Sequence, residues 1–174
     1  MPTFVQNFAT MDFHQTLELE AERVSDYELE RDKPMPSRNH SIIQSRLNIA
    51  LGKYLDQFEI LPELNLAPPG VRPSVPDICI YPKMEIDLLE DEIKVTDAPI
   101  TAIEILSPKQ SIDDIKEKIF QIYFPAGVKS VWLVVPTFRT VYVFTPDRKY
   151  ATFASGTLHD PATGISLELD SFFP

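Results

Sequence analysis

Apolar and polar positions alternate with two periods along this chain, and the switches between them mark out its elements. Over 38–57, in SRNHSIIQSRLNIALGKYL, Ile43, Leu47, Leu51 and Leu55 recur every fourth residue. That spacing predicts an amphipathic helix, with Ser37 or Asn39 able to cap its start. A second helix is predicted over 111–124, where Ile112, Ile115, Ile119 and Ile122 form the apolar stripe. Ser111 and Asp114 stand at capping-box spacing before it, and Pro125 and Gly127 stop it. FEIL, DICIY and TAIEIL read as strands between the helices. SVWLVVP, TVYVFT and KYATFA follow as an antiparallel meander joined by tight turns, and GISLELD adds a last short strand.

The connections are as informative as the elements. Residues 62–76 hold Pro62, Pro68, Pro69, Pro73 and Pro76. A proline cannot donate to a sheet, so the DICIY strand starts at or after Pro76. The acidic run MEIDLLEDEIKVTD reads as a solvated excursion or a weak edge strand. Residues 1–36 are polar; TLELEAERVSDYELE fits strand or helix equally, and 1–26 is expected to be an N-terminal extension. With no repeat and no domain-scale linker, 1–174 is expected to be one α/β domain, a mixed sheet flanked by helices.

At 174 residues the chain can bury a full core. Apolar residues make up 44% and charged residues 24%, the balance of a globular protein. A net charge of −10, with a pI near 4.7, argues against tight non-specific binding to nucleic acid or to an anionic membrane. The single cysteine, Cys79, excludes an internal disulfide and fits a reducing cytosol. No run approaches the length of a membrane span, and the start MPTFVQNFATMDF lacks a signal-peptide pattern, so a cytoplasmic location is expected.

Two strands each carry one acid where an apolar residue would suit a sheet better: Asp77 in VPDICIY and Glu104 in TAIEILSPK. Burying a carboxylate is costly unless something compensates its charge, and a divalent cation is one such thing. Period-two alternation puts Ala102, Glu104 and Leu106 on one face, while Asp77, following a proline, suits a strand mouth or sheet rim. A strand-end Asp and an edge-facing Glu are also ordinary structural residues, so spacing alone leaves both readings open.

YELERDKPMPSRNH, VPDICIY, AIEILSPK and DDIKEKIFQIYFPAGVKSVWLVV together resemble the Uma family of restriction-endonuclease-like proteins, within the PD-(D/E)xK nuclease superfamily. The resemblance runs from about Tyr27 to Phe144 and rests on several ordered motifs. It implies a restriction-endonuclease-like mixed sheet, and Asp77 and Glu104 as ligands of Mg²⁺ or Mn²⁺ with the carbonyl of Ile105 as a third. It implies a catalytic lysine as well, but the superfamily position, two residues after Glu104, holds Leu106. In the family a helical lysine four residues after an aspartate substitutes, which selects Lys118 after Asp114, with Ser107 at the family's interval before Asp114. A surface pair of Lys118 with Asp114 is the plain alternative, and Lys116 and Lys109 are the reserve candidates. Glu30 is implied as an auxiliary catalytic acid, against an exposed glutamate before a turn. A homodimer in which each protomer addresses one DNA strand is a further implication.

Other residues carry weaker signals. His40 touches phosphate or a neighbouring acid, or simply begins the first helix. Tyr123 supports the site from its helix, or packs in the core. Cys79 and Trp132 read as core, and His14 and His159 have no partner at metal-ligand spacing. GxGxxG, P-loop, HExxH and GxSxG signatures are all missing. Three functions follow: a Mg²⁺-dependent endonuclease hydrolysing DNA with a metal-activated water, a degenerate binding or regulatory module on the same fold, and an unrelated α/β interaction protein whose acids are structural.

Overall fold

The computed structural model describes residues 35–174. Two helices and a six-stranded sheet dominate it. Helix α1 (Arg38–Leu51) starts at Ser37, whose side chain accepts from the backbone N–H of His40, and tightens into a 3₁₀ turn over Gly52–Tyr54. That tightening rotates the chain out of the four-residue rhythm. Ile43, Leu47 and Leu51 are buried as expected, but Leu55 is exposed, so the helix and its stripe end earlier than 57.

The strands are β1 (Phe58–Pro62), β2 (Ile78–Pro82), β3 (Thr101–Ile105), β4 (Ser130–Val135), β5 (Thr140–Phe144) and β6 (Tyr150–Phe153), lying side by side in chain order. All neighbours are antiparallel except β3 and β4, whose parallel pairing requires a crossover. Helix α2 (Ile112–Lys118) provides it. The expected capping box forms: Ser111 accepts from the N–H of Asp114, and Asp114 accepts from that of Ser111. Ile112 is exposed rather than part of the stripe, because the whole first turn, 111–114, stands in solvent.

Past Lys118 the helix widens into a π turn, Ile119–Tyr123, and then makes one more α turn, α3 (Phe124–Ala126). Pro125 therefore does not stop the helix. It sits at the head of the new turn, where a missing N–H is tolerated, and Gly127 ends the helix with a left-handed φ of 105°. The C-terminal strand is present as β8 (Ser166–Glu168), paired with β7 (Thr157–His159) in a separate ribbon. The acidic segment is an exposed excursion, touched down where Val95 bridges Leu66 and where the Asp97 carbonyl accepts from the Tyr81 hydroxyl.

Alternation along β3 and β4 sorts the core into two layers. Ile103, Ile105, Trp132 and Val134 join Ile78 and Ile80 of β2 under α1, Leu158, Leu167 and Phe172. Ala102, Val131, Leu133 and Val135 pack on the other side with Ile115, Ile119, Ile122 and Tyr123. Glu104 belongs by alternation to this second layer, a carboxylate placed among apolar side chains. Cys79 is buried with Leu66 and Tyr81 beneath the proline-rich connection, as read.

Candidate active site

Asp77 immediately precedes β2, and the pairing of Ile78 with Ile103, continued by one residue, sets it beside Glu104. Neither acid has any solvent exposure, so Asp77 lies inside the fold and not on a rim. Its Oδ2 accepts from the backbone N–H of Ile105 at 2.6 Å and from Nε2 of His40 at 3.1 Å. Its backbone carbonyl accepts from Gln44 Nε2 at 3.0 Å, and Gln44 also donates to Glu63 Oε1 at 2.8 Å. His40 and Gln44 are one α-helical turn apart, so a single face of α1 reaches both the side chain and the backbone of Asp77.

Glu104 is held from the other layer. Lys118 Nζ stands 3.7 Å from its Oε1, with a side chain only 9% exposed. The hydroxyl of Tyr123 donates to the same oxygen and is itself bonded to Ser74 Oγ at 3.1 Å. Burial holds the Tyr123 phenol well above the ordinary tyrosine range, reinforced by the charge of Glu104, so it remains a donor. Glu104 Oε2 is buried without a hydrogen-bond partner among the described residues.

The helical lysines separate cleanly. Lys118 is turned inward, while Asp114 engages Ser111, whose hydrogen bonds hold its carboxyl below the usual range. Lys116 pairs with Asp113 at 3.0 Å on the surface, and Lys109 is exposed, so neither reserve lysine reaches the acids. Trp132 is core, and His159 is an exposed partner of Ser166. Glu30 and His14 lie outside the described residues.

Such a pair suits a hard divalent cation. Glu104 is buried beside one ammonium, and its second oxygen, buried without a partner among the described residues, is costly until a cation or water takes it. Among the described residues no cluster of three or more His, Cys, Asp or Glu side chains stands in ligating arrangement. Two carboxylates would suffice for Mg²⁺, which keeps several of its waters.

His40, Gln44 and Ser74 complete the surroundings of the acids. Sequence placed His40 at a helix start with an acid as one option, but nothing marked Gln44 or Ser74, since both touch the site only across long separations in the chain.

A mixed six-stranded sheet with a helix on each face and two acids at the β2–β3 junction is the architecture of a nuclease-like α/β fold. A crystal structure described as a putative nuclease belonging to DUF820, from Anabaena variabilis ATCC 29413, is similar to it: TM-score 0.65, 28% identity, 80% of this chain and 83% of that one covered. The family model described as "Uma2: Putative restriction endonuclease" matches residues 5–170, and the chain belongs to that family. No curated protein matches the chain. Among the described residues no helix is long and apolar enough to cross a membrane.

Proposed function

We propose that this protein is a divalent-metal-dependent nuclease that hydrolyses DNA phosphodiester bonds. The observation that carries the reading is the buried pair of Lys118 and Glu104, whose Oε2 has no hydrogen-bond partner among the described residues, with Asp77 next to Glu104 along the β2–β3 register. Membership of a restriction-endonuclease family supports DNA as the substrate. Asp77 and Glu104 would hold Mg²⁺ or Mn²⁺, with the Ile105 carbonyl as a backbone ligand and Glu30 as an auxiliary acid. When bound, such an ion acidifies a coordinated water and neutralises charge developing on the phosphate.

The chain's own part is orientation. Lys118, its stem packed and its amine beside Glu104, donates to the attacking water and to the phosphate oxygen. Tight binding contributes little: the net charge is −10, and the exposed cations near the motifs, such as Arg38, Lys109 and Lys116, are few. Affinity for DNA should fall with salt along a shallow slope, about two to four neutralised phosphates. Action as a homodimer in a reducing cytosol completes the reading. Leu106 in the superfamily's lysine position and the acidic surface favour the second reading, a module that binds without cutting.

Thermal unfolding and a nuclease assay test these readings together. Mg²⁺ or Mn²⁺ should raise the Tm of the wild type, since a ligand of the native state stabilises it. Asp77→Asn with Glu104→Gln should abolish that rise and all divalent-dependent cleavage. An intact ion response without cleavage of DNA in either metal selects the binding module. A Tm unmoved by either ion removes the metal site.

A further inference from the structure

Lys118 and Tyr123 are five residues apart, yet both reach Oε1 of Glu104. A regular α-helix turns about 100° per residue, so residues five apart point about 140° away from each other. The π turn Ile119–Tyr123 narrows that divergence. Its five-residue bond, from the N–H of Phe124 to the carbonyl of Ile119, widens the helix so that residues five apart come closer to one face. Apolar packing did not require this. Ile115, Ile119 and Ile122 already satisfy the ordinary helical rhythm on that face. What the widening adds is a buried phenol, bonded to Ser74 behind and Glu104 ahead.

We infer that Tyr123 is a positioning residue of the site, set in place by the π turn, and that it occupies one oxygen of Glu104 so that the other, Oε2, is the ligating one. This rests on the reading of Glu104 as an ion ligand. A carboxylate that can rotate would share its lone pairs between oxygens, whereas one fixed by a phenol and an ammonium on Oε1 presents a single oxygen. Hydrogen-bond partners of ligating carboxylates tune metal affinity by about 10- to 100-fold. Tyr123 does not touch the reacting atoms in this account; it acts through Glu104.

The test is a titration of Mn²⁺ into the full chain, followed by thermal unfolding, for the wild type and Tyr123→Phe. The concentration giving half of the full Tm rise should increase about 10- to 100-fold in the variant, with the same rise at saturation. A phenol serving only to fill the core would lower the ion-free Tm and leave that midpoint in place, which would overturn the inference alone. A wild type that ignores Mn²⁺ overturns both this inference and the proposed function. Should Tyr123→Phe fail to fold, the wild-type chain with 3-fluorotyrosine at position 123 supplies the measurement. Its fluorine resonance should move with added Mg²⁺ and saturate together with the thermal shift; a resonance that does not move overturns the inference.

Discussion

Each of the two acids is served by its own helix, and the two helices do it differently. Regular α1 sends His40 and Gln44, one turn apart, to Asp77, which also takes a backbone N–H from Ile105. Helix α2 and its π turn send Lys118 and Tyr123 to Glu104, which is held by side chains and keeps one oxygen without a partner among the described residues. Asp77 is thus built into the framework, its carboxylate bridging β2, β3 and α1. Glu104 is held only as firmly as α2 is. The difference teaches that paired carboxylates on one sheet need not be equivalent. Loss of Asp77 should fall first on stability, and loss of the Glu104 shell first on activity.

The largest expected effect sharpens that contrast on the Glu104 side. Lys118→Ala should lower divalent-dependent DNA cleavage by about 10²- to 10⁴-fold, the usual worth of a positioned proton-handling group, and should also lower Tm, because it leaves the buried Glu104 without its cation. A single-turnover assay beside a melting curve checks both halves. Cleavage within a few-fold of the wild type would leave Lys118 a buried structural partner of Glu104.

On the Asp77 side the balance should reverse. Asp77→Ala strands the Ile105 N–H and the His40 imidazole in a buried site, which should cost about 3–5 kcal/mol in chemical unfolding. Glu104→Ala should cost less, because it also relieves a buried oxygen without a partner. Equal losses would mean that the two acids are equally structural.

The helix caps give a smaller comparison. Ser37→Ala and Ser111→Ala each remove a capping hydroxyl and should each cost about 1 kcal/mol or less of stability. Only Ser111→Ala should also reduce cleavage, because it loosens the first turn of the helix that carries Lys118. A matching reduction in Ser37→Ala would show that α1 positions the chemistry as much as α2 does.

The smallest effect is a control at the far end of β2. Burial pushes the Tyr81 phenol above the ordinary tyrosine range, with the charges of Cys79 and Asp97 adding to it. The unfolded chain then ionises this group first, near pH 10, while the folded protein keeps its proton. The stability it contributes is full below that pH and is lost as pH rises further. Tyr81→Phe should flatten the alkaline limb of a stability–pH curve and leave the ion response of the site unchanged.

The helices, the strands and their mixed pairing were legible along the chain because each rests on local periodicity. Ile43, Leu47 and Leu51 recur at helical spacing, Ile103 and Ile105 alternate with Ala102 and Glu104, and the meander is punctuated by its turns. The π turn was invisible for the same reason. It breaks the period after Lys118 while leaving Ile115, Ile119 and Ile122 in a pattern that an unbroken helix would also give, and it carries the chain through a proline that otherwise signals an end. Asp77 and Glu104 could be picked out as candidates, since an acid in an apolar strand is costly and therefore conspicuous.

What surrounds those acids was decided only by the tertiary structure. His40 reaches Asp77 across 37 positions, and Ser74 reaches Tyr123 across 49. Local sequence records what a residue does to its neighbours in the chain. Which side chain meets a buried charge depends on how two helices close over opposite faces of one sheet, and that is a property of the packed whole.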